Sequence, residues 1–216
     1  MSAKTLSKSI LLSIVSVIGF IFLASLVSRH ALSHFDSAIS AFVQGFEFPA
    51  ITTVMKFLSF IGSPIPMVIL SAIVLLLLYR HYPKRAEVYL FVSVMFLTIL
   101  SNWLLKNAFK RARPDLHQLV HETGYSFPSG HSMTAFSFYG ILAFLLWHQS
   151  DLPSVRLAII LVSTIMIAGI GISRIYLGVH YPSDVVGSYF FSGFVLAVGI
   201  WFYQRYQERH YLRSER

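Results

Sequence analysis

The sequence predicts an all-α, polytopic membrane protein with six transmembrane helices and a short interfacial helix between the first two. Three observations lead there. The 216-residue chain is 56% hydrophobic and only 12% charged, above the roughly 45–50% apolar content of soluble domains. Its apolar residues collect in runs long enough to cross about 30 Å of hydrocarbon, which takes roughly 20 helical residues. The intervening segments are short, so residues 1–216 read as a single membrane-embedded domain, without repeats or low-complexity stretches.

The predicted spans are residues 10–27, 55–79, 88–109, 133–147, 157–176 and 186–203. Lys4 and Lys8 precede the first run as in a signal peptide, but no small-x-small cleavage site follows it, and an uncleaved helix is expected. Between the first two runs, Phe35, Ile39, Phe42, Val43 and Phe46 recur at helical spacing, with Asp36, Ser40 and Gln44 between them. This pattern reads as an interfacial helix or as a loop packed on the bundle. In the second run Gly62, Pro64 and Pro66 call for a kink or a broken helix, because proline removes a donor and crowds the preceding turn. The fourth run is short, and an earlier start is expected. Trp103, Trp147, Tyr176, Trp201 and Tyr203 lie near span ends and suit an interfacial aromatic belt. Gly169 and Gly171 suit close helix packing; with no strand before them they do not read as a dinucleotide site.

The net charge of +8 comes without a basic stripe interleaved with aromatics, so membrane lipids are expected as partners and nucleic acid is not. No obligate protein partner is evident. With an even number of spans, Lys4, Lys8, Arg80, Lys84, Arg85, Arg156, Arg205, Arg209, Arg213 and Arg216 fall on the side of the termini. Arg29, Lys56, Lys106, Lys110, Arg111, Arg113 and Arg174 fall opposite. The positive-inside rule then predicts cytoplasmic termini. The absence of cysteine removes disulfides, thiolate metal sites and cysteine nucleophiles.

Three polar clusters carry chemistry, and the topology predicts all of them on the extracytoplasmic side. In KNAFKRARP, Lys106, Lys110 and Arg113 share a face if the third helix continues. They bind an anion there, or merely snorkel and complement a helix C-terminus. In Pro128-Ser129-Gly130-His131, a helix start presents backbone N–H groups to an anion, and Gly130 permits close approach. An ordinary serine cap is the alternative. In SRIYLGVHYPSD, Asp184 is placed to accept a hydrogen bond from His180 and leave the other ring nitrogen nucleophilic, or else the two residues simply cap a helix.

Together the clusters match K-x6-RP, PSGH and SR-x5-H-x3-D in order, and the chain resembles the type 2 phosphatidic acid phosphatase superfamily. Within it the chain is most like the bacterial phosphatidylglycerophosphatase B branch, whose members often also act on undecaprenyl pyrophosphate. The resemblance implies a lipid phosphate phosphatase of the bacterial cytoplasmic membrane, with phosphatidylglycerol phosphate as substrate or, alternatively, undecaprenyl pyrophosphate. It implies that His180 attacks phosphorus, Asp184 orients it and His131 protonates the leaving group. Lys106, Arg113, Ser129, Gly130 and Arg174 would hold the phosphate oxygens. Because those cations can perform the charge stabilisation that a metal supplies elsewhere, neither cofactor nor metal is expected.

Two other classes compete. His117, His121, Glu122 and His131 have ligand-like spacing for a metal hydrolase. A transporter or a lipid-binding protein would also use a cationic pocket, although binding alone does not call for the His180 and Asp184 pair. Vanadium haloperoxidases carry the same motif but are soluble, whereas this chain has six apolar runs. The sequence leaves lipid-chain contacts open, with Tyr125, Phe127 and the faces of spans three to five as candidates.

Overall fold

The computed structural model describes residues 3–81, 85–115 and 117–214, so Lys84 and Arg216 of the charge count lie outside the described residues. Among the described residues the chain forms eight helices and no strand. These are α1 (Ala3–Ser28), α2 (Ser33–Gln44), α3 (Pro49–Ile61), α4 (Pro64–His81), α5 (Ala86–Phe109), α6 (Gly130–Trp147), α7 (Pro153–Tyr176) and α8 (Pro182–Ser214). Helices begin before the apolar runs do, because Pro153 and Pro182 occupy first-turn positions and Ser129 caps α6, none of which registers as hydrophobic.

By length and apolarity, Lys8–Ser28, Pro64–His81, Ala86–Phe109, Pro153–Tyr176 and Pro182–Arg209 can each cross a membrane. The outward faces carry exposed Leu11, Phe22, Ile65 and Ile165, the reverse of a bundle solvated by water. This is a multi-pass membrane protein. α6 is missing from that set for a reason tied to the site. It packs among α5, α7 and α8, so its surface meets protein, and Ser132 and Ser137 are buried in it. Ser137 shares a 2.7 Å hydrogen bond with Thr98 of α5, the polar cross-link favoured between helices in lipid.

The second predicted span is not one helix. Gly62 caps α3 through bonds to Leu58 O and Phe60 O, and Pro64, lacking an N–H, starts α4. α2 and α3 meet the apolarity measure only together, bent by 119° at their break. α3 packs on α7, α4 on α5, and α1 along α8. Gly171 does serve close packing, since a Cβ there would lie 1.9 Å from the Tyr189 hydroxyl.

The segments 110–129 and 177–181 meet at one end of the bundle, where Leu119 N bonds Leu177 O at 3.0 Å. Gly178 makes that meeting possible: its φ is +71°, and an added Cβ would sit 1.8 Å from His117 O. Two aromatic expectations are corrected at the span ends. Tyr176 is 1% exposed, its hydroxyl 2.7 Å from Thr52 Oγ1, and Tyr203 donates to Glu87 at 2.6 Å. Both are bonded within the bundle instead of forming an outer belt.

Candidate active site

His180 lies in the short connection between α7 and α8, and Asp184 in the first turn of α8. Both are buried, with Nδ1 of the imidazole 3.4 Å from Oδ2 of the carboxylate. Ser126, from the 110–129 segment, sits between them. Its hydroxyl is 3.3 Å from His180 Nδ1 and donates to Asp184 Oδ2 at 2.5 Å. The backbone N–H of Tyr181 also donates to Oδ2, at 2.9 Å.

On the other edge of the ring, Arg113 Nη1 is 3.0 Å from Nε2. A guanidinium only donates, so Nε2 is the bare nitrogen and Nδ1 carries the proton toward Ser126 and Asp184. Burial is the largest influence on the imidazole and lowers its pKa to about 4; the Asp184 hydrogen bond and charge pull upward, while Arg113 and Lys106 push further down. The ring is therefore neutral near pH 7.

A cavity of about 650 Å³ opens beside these groups, lined at its polar end by Lys106, Arg113, Glu122, Gly130, His131 and His180. Below them Asn102, Ile99, Met95 and Phe91 follow α5, facing Met67, Val68 and Leu75 of α4. From Lys106 to Phe91 the cavity follows α5 for about 22 Å, most of the thickness of a bilayer core.

The structure thus brings together Lys106, Arg113, Gly130, His131 and His180 around one space. Arg174 joins them indirectly: it is 1% exposed, donates to Glu122 Oε1 at 2.6 Å and bonds Ser59. Its Nε is buried without a partner. Glu122 Oε2 also lies 3.8 Å from Arg113 Nη2. A carboxylate therefore rests on two of the cations expected to receive phosphate.

Ser129 is placed differently. Its hydroxyl is buried and accepts from Ser132 N at 3.4 Å and from Ser132 Oγ at 3.0 Å, so its side chain is a helix cap. The donors left in that turn are the backbone N–H groups of Gly130 and His131, the first residues of α6, which have no intrahelical acceptor. Gly130 has a packing reason as well, since a Cβ there would fall 3.1 Å from Asn102 Oδ1. Lys110 does not share a face with Lys106 and Arg113. α5 ends at Phe109, and Lys110 turns left-handed with φ 47°.

The stretch 86–209 matches the PAP2 superfamily. The chain belongs to this superfamily. It is 32% identical over 174 residues to phosphatidylglycerophosphatase B of Bacillus subtilis (strain 168), covering 79% of this chain and 84% of that protein. It is 31% identical over 133 residues to the putative undecaprenyl-diphosphatase YbjG of Escherichia coli (strain K12), covering 59% and 63%. Its fold matches the crystal structure of the first transmembrane PAP2 type phosphatidylglycerolphosphate phosphatase from Bacillus subtilis with a TM-score of 0.82 at 29% identity. That match spans 89% of this chain and 96% of the other.

Sequence reasoning missed four polar residues of this PAP2 site: Ser126, Arg111, Glu122 as a partner of arginines, and Asp36. Arg111 Nη1 donates to Asp184 Oδ1 at 2.6 Å, and Nη2 donates to Asp36 Oδ2 at 2.7 Å. Asp36 is 1% exposed, and a buried aspartate beside apolar residues demands a cation; its burial is set by packing and is not visible in the sequence. The ligand-like histidines are dispersed. His117 pairs with Glu47 at 2.6 Å and Glu122 with Arg174, and among the described residues no three His, Asp or Glu side chains come together as a metal-binding group. Phe127 is fully buried against Phe20 and Phe109, so it contacts the bundle interior and not a lipid chain.

Proposed function

We propose that this PAP2 protein is a metal-independent lipid phosphate phosphatase working through a phosphohistidine, with phosphatidylglycerol phosphate as its substrate. The observation that carries the reading is the bare Nε2 of His180 beside Arg113, at the polar end of a cavity that is apolar along α4 and α5. An anionic head group and an attached chain have complementary places there.

In the first half-reaction the phosphate displaces Glu122 and takes up Lys106, Arg113, Arg174 and the N–H groups at the start of α6. His180 Nε2 attacks phosphorus, the P–O bond to the lipid breaks, and protonated His131 gives its proton to the departing oxygen. The dianion offsets the positive charge against which a protonated His131 would otherwise stand. Asp184, with Ser126, stabilises the imidazole as Nε2 loses its lone pair to phosphorus. In the second half-reaction water attacks the phosphohistidine, His131 takes the water's proton, and the P–N bond breaks to release inorganic phosphate. Positioning and charge stabilisation are the main demands of phosphoryl transfer, and this set of donors serves both.

The termini are cytoplasmic on this reading, and the site faces the extracytoplasmic side of a bacterial cytoplasmic membrane. The similarity to the putative undecaprenyl-diphosphatase favours undecaprenyl pyrophosphate as the second candidate substrate, because the cradle grips only the terminal phosphoryl group. The test is phosphate release by purified protein from phosphatidylglycerol phosphate, phosphatidic acid and undecaprenyl pyrophosphate, at matched detergent and surface concentrations. The highest kcat/KM is expected for phosphatidylglycerol phosphate. A preference for the pyrophosphate transfers the assignment, and no release from any of them returns the chain to anionic-lipid binding.

A further inference from the structure

Arg111, like Lys110, is a cation of KNAFKRARP that does not line the cavity. Its guanidinium lies 4.1 Å over the ring of Tyr181. It donates to Asp184 Oδ1 at 2.6 Å, to Ser183 Oγ at 2.7 Å and to Asp36 Oδ2 at 2.7 Å. Asp36, on α2 and 1% exposed, also accepts from Ser183 N at 2.9 Å and from Ser183 Oγ at 2.7 Å. One carboxylate thus grips both the arginine and the first turn of α8 that carries Asp184.

The charges alternate: Asp36 negative, Arg111 positive, Asp184 negative. Arg111 and Asp184 alone would sum to zero, and the Nδ1–H of His180 would face a neutralised carboxylate. Asp36 restores a net charge of one negative unit behind the imidazole. Arg111 meanwhile occupies Oδ1, which leaves Oδ2 for Ser126, Tyr181 N–H and His180.

We propose that Arg111 and Asp36 are positioning residues for the His180 and Asp184 pair. Arg111 fixes the carboxylate with Oδ2 toward the imidazole, and Asp36 keeps the arginine from cancelling that carboxylate's field. The inference rests on His180 being the nucleophile. It also gives α2 a part in the chemistry, although Asp36 lies outside the superfamily match of 86–209.

The test uses the full chain in detergent micelles: phosphate release from phosphatidylglycerol phosphate against pH, inhibition by orthovanadate, and thermal unfolding. Asp36→Asn should lower kcat about tenfold, an outer-shell effect, and move the acid limb to lower pH because the imidazole faces less negative charge. Arg111→Gln leaves two carboxylates and should move the limb to higher pH. The double variant returns the charge to one negative unit and should bring the limb back toward its original position. Arg111→Lys, which keeps the charge, should hold the original limb and recover much of the rate, and it serves where Arg111→Gln does not fold. The other charged groups around the imidazole are unaltered: Arg113, Lys106 of α5, His131 of α6 and Arg174 of α7, with Asp115 beside Tyr181. Orthovanadate inhibition should stay unchanged in the Asp36 and Arg111 variants, since neither side chain reaches the cavity.

Unmoved pH profiles in variants that only unfold at lower temperature would reduce the network to a tether, and a parallel loss of orthovanadate affinity would make Arg111 a phosphate ligand; either result overturns the proposal. His180→Ala separates the two levels. If it stays active, the nucleophile assignment fails. If it is inactive while the Asp36 and Arg111 profiles do not move, only the positioning inference fails.

Discussion

Arg113 Nη1 stands 3.0 Å from His180 Nε2, so a permanent donor fixes which nitrogen of the ring carries the lone pair. The same guanidinium bonds Val179 O at 2.9 Å, Thr123 O at 3.0 Å and Gly124 O at 3.1 Å. It joins the two segments that build the site. Arg113→Lys keeps the charge and loses the fork. We expect kcat/KM to fall roughly 10²- to 10³-fold, the scale of losing a transition-state donor. Steady-state kinetics checks this, with unfolding temperature measured alongside. Wild-type kcat/KM in that variant would show that a point charge suffices.

The pH dependence follows from His180. Its pKa is lowered to about 4 in the folded chain, and its neutral form is the proposed nucleophile. Activity should therefore persist well below pH 6.5 and disappear as pH falls through about 4. The proposed requirement for protonated His131 sets the opposite limb, giving a bell-shaped profile. Stability changes in the same direction. A depressed folded pKa contributes stability above the unfolded value of about 6.5, which is lost as pH falls toward about 4. The apparent pKa of kcat/KM on the acid side is the measurement, and an acid limb near 6.5 would contradict the buried, neutral ring.

Glu122 occupies the cradle in advance of substrate, 2.6 Å from Arg174 and 3.8 Å from Arg113. Glu122→Gln removes a carboxylate that competes with phosphate for the same cations. Inhibition by inorganic phosphate should tighten roughly fivefold, about 1 kcal/mol for one partly screened charge pair. Competitive inhibition constants check this, and weaker inhibition in the variant would make Glu122 a supporting group for Arg174.

Much of this candidate site was legible because its residues lie in local motifs. His180 and Asp184 are four residues apart on a turn leading into a helix, and Pro128 to His131 mark a helix start. What stayed hidden depends on contacts remote in sequence. Asp36 looked like the polar side of an amphipathic segment, and only the packing of α2 near α8 shows it facing Arg111. Lys110 illustrates a different limit. Its spacing from Lys106 and Arg113 had meaning only while α5 continued, and the helix stops one residue short of it. α6 shows why apolarity underestimates a central helix: it packs on other helices and tolerates serines that lipid would not.

Gly178 tests the architecture that brings the two segments together. Its positive φ and the His117 carbonyl 1.8 Å from any added Cβ mean that Gly178→Ala must displace the loop carrying His180. Activity should fall more than stability does, because a shift of about 1 Å at a reacting group costs on the order of 10²-fold in rate. Parallel measurement of kcat and unfolding temperature distinguishes this from general destabilisation, in which both would decline together.

The most direct test of the account is to quench the purified enzyme during turnover of ³²P-labelled phosphatidylglycerol phosphate and locate the covalent label. The account predicts an acid-labile, base-stable phosphoryl group on the peptide containing His180, formed faster than the overall turnover and absent from His180→Ala. Label on another residue, or full turnover by His180→Ala, would contradict it.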